Sequence, residues 1–248
     1  ILYNGKMVMF GGNDGDTGKG DTWTLDLNQW PPTWNYHGDH STSRWGQSSI
    51  LYNGKMVMFG GLGDVKYNDV WTLDLTTYDW NEITTTGTKQ PSTRYHHSSI
   101  VYNGKMIVFG GWDGGNRWND VWTLDLTQSP PVWNEITTTG NRKPSARAYH
   151  SSIIYNGKMV VFGGFDSNRL NDVWTLDLTS YIWNELTTTG TKPSGREGHS
   201  SVVYDGQMVI FGGRDGSLKN DAWTLDLSIK MEEIDISVAP SPVKYSSD

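Results

Sequence analysis

A motif of about ten residues occurs five times along this chain, and this repetition limits the possible folds more than any other feature. Each copy begins Tyr-Asn-Gly-Lys-Met, or Tyr-Asp-Gly-Gln-Met in the last copy, and ends in Phe-Gly-Gly. The copies start at Tyr3, Tyr52, Tyr102, Tyr155 and Tyr204, at intervals of 49 to 53 residues. A period of this length indicates a solenoid, a propeller or another array of equivalent units.

Tryptophan recurs at two positions of the repeat. The segment Trp-Thr-Leu-Asp-Leu follows each Gly-Gly pair, and it begins at Trp23, Trp71, Trp122, Trp174 and Trp223. A second tryptophan follows at Trp34, Trp80, Trp133 and Trp183, whereas the fifth repeat has Met231-Glu232-Glu233-Ile234 in that place. Because these nine side chains recur at equivalent places, we expect them to pack between neighbouring units.

Each unit has the pattern of four short strands. In the third repeat we predict strand a at Ser98–Tyr102, strand b at Lys105–Gly111, strand c at Asp120–Leu126 and strand d at Val132–Thr137. Asn103-Gly104 joins a to b, and Asn-Gly between apolar runs is a strong signal of a type I′ hairpin. Trp122 to Leu126 alternates apolar and polar residues, as a strand does. Such a sheet is apolar on both faces, so it must stack against its neighbours.

Composition excludes several classes of protein. The 248 residues carry a formal net charge of -7, which argues against a nucleic-acid-binding protein, because that needs a basic surface. There is no cysteine, so neither a disulfide framework nor a thiol nucleophile exists, and the cellular compartment is left open. No apolar run approaches the roughly 20 residues that cross a bilayer, so no membrane insertion is expected.

These motifs resemble the kelch repeat family over residues 1–236. A strand ending in Gly-Gly, a tryptophan-containing strand about ten residues later and a second tryptophan are typical of it, and so is Arg-x-x-His-Ser-Ser at Arg94, Arg147 and Arg196. At Arg44, Gln47 takes the place of histidine. The resemblance implies an all-β fold, a β-propeller of four-stranded antiparallel blades with strand a next to the axis and strand d outermost.

The number of blades has two interpretations. Kelch propellers usually have six or seven blades, whereas five copies are visible here, so the chain is either a closed five-bladed ring or an excerpt of a longer array. The first copy lacks most of strand a, since Ile1-Leu2-Tyr3 aligns with Ile50-Leu51-Tyr52. We expect the propeller to span residues 1–236, and the tail 237–248, with Lys244-Tyr245-Ser246-Ser247, to be a candidate closing strand of the first blade.

The recurring polar residues favour structural roles. We expect the arginines to form ion pairs between blades, either with recurring aspartates or with Glu82, Glu135 and Glu185. The Asp of Trp-Thr-Leu-Asp-Leu is expected to fix the end of strand c, and the Asn-Asp pairs before strand c to satisfy loop amides. One histidine per repeat, at His97, His150 and His199, is interpreted as structural, and no metal site is predicted. Asp14 and Asp16 are expected in a glycine-rich turn and not in a calcium loop.

Positions that vary among otherwise uniform repeats are free to serve a ligand. They cluster in the b–c connections and just after the recurring arginine, and antiparallel strand order places both at one end of every blade. Tryptophan, tyrosine and arginine are common energetic anchors of protein interfaces. The predicted binding residues are Arg44, Trp45, Tyr95, Trp112, Arg117, Trp118, Tyr149, Phe165, Arg169 and Arg214.

The expected function is therefore a protein-interaction scaffold without a cofactor. A glycan-binding propeller is the alternative, because exposed aromatic rings stack on sugars, and a sugar-acting enzyme using Arg and Glu on the same face is a weaker one. Self-assembly is a further option. No Gly-x-Ser-x-Gly, phosphate loop or His-Glu-x-x-His occurs, so the sequence predicts no enzyme of those classes.

Overall fold

The computed structural model describes residues 1–40 and 42–228, and every regular element in these ranges is a β-strand. The first blade contains β1 (Leu2–Tyr3), β2 (Lys6–Asn13), β3 (Gly18–Asp26) and β4 (Thr33–Asp39). The second contains β5 (Ser48–Tyr52), β6 (Lys55–Leu62), β7 (Lys66–Asp74) and β8 (Trp80–Glu82). The third contains β9 (Ser98–Tyr102), β10 (Lys105–Phe109), β11 (Val121–Asp125) and β12 (Val132–Ile136).

The fourth and fifth blades follow the same order. The fourth contains β13 (Ser151–Tyr155), β14 (Lys158–Phe165), β15 (Arg169–Asp177) and β16 (Trp183–Leu186). The fifth contains β17 (Ser200–Tyr204), β18 (Gln207–Phe211) and β19 (Ala222–Asp226). Residues 231–234, which stand in place of the second tryptophan motif, and the tail 237–248, the candidate closing strand, lie outside the described residues.

The blades are arranged as a five-bladed β-propeller. Within each sheet the strands are antiparallel and follow chain order, for example β5-β6-β7-β8. The first strands of consecutive blades pack on one another, β5 on β9, β9 on β13 and β13 on β17. Strand a is therefore innermost, as the family resemblance implied. In the residues that the structure describes, no helix is long and apolar enough to cross a membrane.

The turns between strands a and b have the predicted geometry. In the third blade Asn103 has φ 48° and Gly104 has φ 73°, and the Asn-Gly or Asp-Gly pairs of the other four blades adopt the same conformation. Both residues of a type I′ turn need a positive φ, so the sequence motif alone specifies this connection.

Strand b of the third blade ends earlier than predicted. It stops at Phe109, before Gly110 and Gly111, whose φ values are 64° and 102°. A Cβ at Gly111 would lie 2.8 Å from the Cβ of His97, so the backbone here approaches the preceding inner strand closely. Glycine is required both for the conformation and for this approach.

The core lies between the blades rather than within them. Trp133 on strand d is 1% exposed, and its ring centroid lies 4.9 Å from that of Phe59 on the preceding blade. Trp183 packs on Phe109 in the same way at 5.0 Å. The strand-d tryptophans of the third and fourth blades thus fill the joints, as predicted. Trp34 of the first blade was expected to do the same, but it is 49% exposed.

Candidate functional site

Four arginines, one before each of blades two to five, are buried and paired with aspartate. In the third blade the Arg94 guanidinium donates to both carboxylate oxygens of Asp120, at 2.7 and 2.8 Å, and to the carbonyl of Gly110 at 3.0 Å. Trp122 Nε1 donates to the same carboxylate at 2.7 Å. The equivalent pairs are Arg44–Asp69, Arg147–Asp172 and Arg196–Asp221.

This geometry decides between the two expected partners and corrects two other details predicted from the sequence. The arginine pairs with a recurring aspartate, the one of the Asn-Asp pair, and not with a strand-d glutamate. The expectation of a pair between blades is wrong, since the contact ties the d–a connection to strand c of the blade that it enters. The Asn side chain reaches a carbonyl instead of a loop amide, since Asn119 Nδ2 donates to Pro144 at 3.1 Å. Because Arg44 is fully buried in such a pair, it is not available at the surface.

The strand-c aspartates act as predicted. Asp125 Oδ1 accepts a hydrogen bond from the amide of Thr127 at 3.0 Å, and Asp177 accepts from the amides of Thr179 and Ser180. These carboxylates start the turn to strand d. In the first blade Asp14 caps its own loop by accepting from the amide of Thr17 at 2.9 Å, so this segment is a local turn.

The recurring histidines lie in separate blade joints. The ring of His150 packs against Phe109 at 5.1 Å, and its Nε2 lies 2.9 Å from Ser98 Oγ of the preceding blade. Burial, followed by the charge of Arg147, lowers the pKa of His150 to about 3, so the ring is neutral. No cluster of His, Asp or Glu with metal-binding geometry occurs in residues 1–40 and 42–228.

The variable positions meet at one end of the propeller, around the axis. Each residue after a buried arginine pairs with the residue after Gly-Gly, as in Trp45 with Leu62 and Tyr95 with Trp112. Nearer the axis the next residue continues a ladder, because the His96 amide donates to Gly46 O at 2.6 Å. The Tyr149 amide donates to His96 O, and the Gly198 amide donates to Tyr149 O, both at 2.9 Å.

Aromatic side chains of three blades form one cluster on this ladder. The ring centroids of Tyr95 lie 5.7 Å from Trp45 and 5.4 Å from Trp112, and His96 stacks on Tyr149 at 3.7 Å. We call Trp45, Tyr95, His96, Trp112, Tyr149, Phe165 and Arg117 the axial aromatic surface. Among these residues Tyr95 is buried and lies beneath the other rings, and the remaining members are half-buried.

Basic side chains cross from blade to blade around this surface. Arg117 lies between two rings, 5.6 Å from Trp112 and 4.7 Å from Phe165, and its Nη1 donates to Asp166 O at 3.1 Å. One blade further on, Arg169 forms an ion pair with Glu197 at 2.8 Å. Arg214 of the fifth blade lies next to this pair, because its backbone forms a β-bridge with that of Glu197. Arg214 is exposed.

Trp118 belongs to the support of the surface and not to the aromatic cluster. Its ring covers the guanidinium of Arg94 at 5.7 Å, as the ring of Tyr67 covers Arg44 at 4.0 Å in the second blade. The predicted set therefore divides into three groups: Arg44 and Trp118 are structural neighbours of the surface, Tyr95 is buried beneath its rings, and the remaining seven residues lie on it or at its edge.

His96 was not predicted as part of the surface. It stands at the same repeat position as Gly46, Tyr149 and Gly198, where a positive φ is adopted, so a comparison at that position would have found it. Burial lowers the pKa of His96 to about 4, and burial also raises the pKa of Tyr149. Both rings are therefore neutral near pH 7, so neither adds a charge to the centre of the surface.

Comparisons with known proteins agree with this architecture. A family model, the KLHDC2/KLHL20/DRC7 Kelch-repeats domain, matches residues 1–213 and again 129–246. Adagio-like protein 1 of Oryza sativa subsp. japonica is 35% identical over 200 residues, which cover 75% of this chain and 31% of that protein. Host cell factor 2 of Homo sapiens is 38% identical over 81 residues, 29% of this chain and 10% of that protein. The chain spans about a third of the length of the adagio-like relatives that it matches.

Proposed function

This chain belongs to the kelch-repeat family, and we propose that it is a protein-interaction module that captures its partner with the axial aromatic surface. Kelch propellers commonly mediate protein interactions, and members of the family are generally not enzymes. The family alone does not select a face of the propeller, so the choice of surface depends on the residues themselves.

The observation that carries the proposal is the contrast between the two ends of the propeller. At the a–b end the turns are nearly identical in all five repeats. At the axial end the equivalent positions hold different residues in each blade, yet they form one contiguous cluster across three blades. Residues that serve only the fold are expected to be the same in every blade. Because these residues differ between blades and still contact one another, they favour a role in binding a partner.

The chemistry of the cluster suits a protein partner. Its half-buried tryptophan and tyrosine rings are held by neighbouring rings, and Arg117 is fixed between Trp112 and Phe165. Rigid aromatic and arginine side chains lose little conformational entropy on binding, and such residues supply most interface hot spots. Within the described ranges, no observation favours the glycan-binding, sugar-acting or self-assembling alternatives.

The proposal is tested by capture from a native extract, followed by identification of the partner and measurement of its affinity. Alanine at Trp45 and Trp112 together is expected to weaken binding by roughly 700-fold, since each hot-spot truncation costs about 2 kcal/mol and the two together cost about 4 kcal/mol. The matched control is Trp30→Ala, because Trp30 is 91% exposed on a c–d connection at the opposite end.

The unmodified chain, the double variant and the control should all be folded in a thermal scan, because Trp45 and Trp112 are half-buried and are not the fully buried tryptophans, Trp133 and Trp183, that fill the blade joints. If the double variant binds the identified partner as tightly as the control, the axial aromatic surface is not the docking site. Loss of binding in both the variant and the control would equally contradict the assignment to one end.

A further inference from the structure

Ser145 occupies a distinctive place beside one of the buried ion pairs. It is exposed in the d–a connection that enters the fourth blade, two residues before Arg147. Its hydroxyl accepts a hydrogen bond from Arg147 Nη2 at 3.1 Å, and its carbonyl accepts from Nε at 3.2 Å. Arg147 is itself 1% exposed and bound to Asp172. Solvent thus reaches a side chain that contacts a buried cation directly.

The Ser145 hydroxyl also lies close enough to the carboxylate of Asp166, in the b–c connection of the same blade, to lower its pKa. Burial raises the pKa of Asp166, but hydrogen bonds from the Asn168 amide and the Ser145 hydroxyl outweigh it, so the carboxyl stays ionised. The fifth blade repeats the arrangement, since Ser194 Oγ donates to Asp215 Oδ2 at 2.6 Å. A serine at this position therefore lies between the d–a and b–c connections, and in the fifth blade it joins them by a hydrogen bond.

The b–c connection of the fourth blade carries part of the axial aromatic surface. Phe165 precedes Asp166, and the carbonyl of Asp166 accepts the hydrogen bond from Arg117. A displacement of Asp166 would therefore move Phe165 and release one contact of Arg117.

The residues before Ser145 distinguish it from its equivalents. Arg142 and Lys143 stand three and two residues before it, and both are exposed. Ser92 has only Lys89 among its three preceding residues, and Ser194 has only Lys192. Protein kinases select substrates largely by such charge patterns, and an acidic substrate groove favours paired cations before the acceptor.

We propose that Ser145 is a phosphorylation site for a kinase that selects basic sequences, and that the phosphate weakens the fourth blade at the axial aromatic surface. Ser145 Oγ attacks the γ-phosphorus of ATP, an O–P bond forms, the bond to the bridging oxygen breaks and ADP leaves. The hydroxyl proton passes to the kinase's catalytic carboxylate.

The product places a group of about two negative charges beside Asp166 and Asp172. The hydroxyl's interaction with Asp166 becomes a repulsion between like charges. The phosphate also competes with Asp172 for the guanidinium of Arg147, which contacts both Asp172 and Ser145. Both effects destabilise the segment that holds Phe165.

The test treats the folded chain with the catalytic subunit of cyclic-AMP-dependent protein kinase and ATP, and maps the phosphate by tandem mass spectrometry. We expect phosphate on Ser145 and a Tm lower by roughly 2–8 °C, the shift that the loss of one or two polar contacts produces in a domain of this size. Ser145→Ala should prevent the modification at this position.

Two matched variants separate recognition from the contact. Replacement of Arg142 and Lys143 by alanine keeps the hydroxyl and should abolish incorporation, whereas Ser194→Ala should leave it unchanged. No phosphate on Ser145, or a modified chain with an unchanged or higher Tm, would overturn the proposal. A further arm, reduced capture of the partner by the modified chain, depends on the proposed function. If the modification and the Tm shift occur while capture is unchanged, it is the proposed function or its link to Ser145 that fails.

Discussion

Replacement of Arg94 by methionine should destabilise this protein more than loss of any surface ion pair. The Arg94 side chain is fully buried, and it makes two bonds to Asp120 and one to Gly110 O, all between 2.7 and 3.0 Å. Removal of one partner from a buried pair costs about 3–5 kcal/mol, because the other charge is left without compensation. In a domain of this size that cost lowers the Tm by roughly 6–20 °C.

The matched control lies in the same connection. Lys89 and Glu135 form an ion pair at 3.2 Å, but their side chains are 72% and 46% exposed, so Lys89→Met should cost no more than about 1 kcal/mol. The free energies of unfolding of both variants are measured by urea denaturation, with tryptophan fluorescence as the signal. The double variant Arg94→Met, Asp120→Asn should be less destabilised than the sum of its single variants, since the two groups interact. Equal free energies of unfolding for the Arg94 and Lys89 variants would refute the argument.

Two further predictions concern the close packing around the recurring histidines. Gly111→Ala should destabilise the protein more than Gly12→Ala. A Cβ at Gly111 would lie 2.8 Å from His97, whereas nothing lies within 4 Å of one at Gly12, and both glycines have a φ above 100°. Thermal denaturation compares the two variants, and similar losses of stability would attribute the whole cost to backbone conformation. The pKa of His150 is lowered to about 3 from an ordinary 6.5, so between these pH values the unfolded chain binds more protons and stability falls as the pH falls, by up to about 1.4 kcal/mol per pH unit. His150→Gln, which copies Gln47 of the second blade, should reduce the difference in Tm between pH 7 and pH 5, and an undiminished difference would contradict this origin of the acid sensitivity.

The sequence alone determined the units and their local geometry. The Asn-Gly pairs specified the a–b turns, because few residues other than glycine and asparagine adopt a positive φ at low cost. Alternation in Trp122–Leu126 specified a β-strand. The repeat period then required neighbours, since a single sheet of this kind cannot bury both faces. Strand order placed the variable positions at one end of the blades before any distance was known.

Only the tertiary structure decided which of those positions face the outside. Arg44 and Trp45 are adjacent in sequence, yet one is buried against Asp69 and the other lies in the aromatic cluster. Trp118 and Trp112 have the same chemistry, but Trp118 covers Arg94. These differences depend on contacts between residues far apart in the chain and on the angle at which successive blades meet. The local sequence pattern shows which residues alternate along a strand. Which side chain each of them contacts is decided only when the strands and blades pack together.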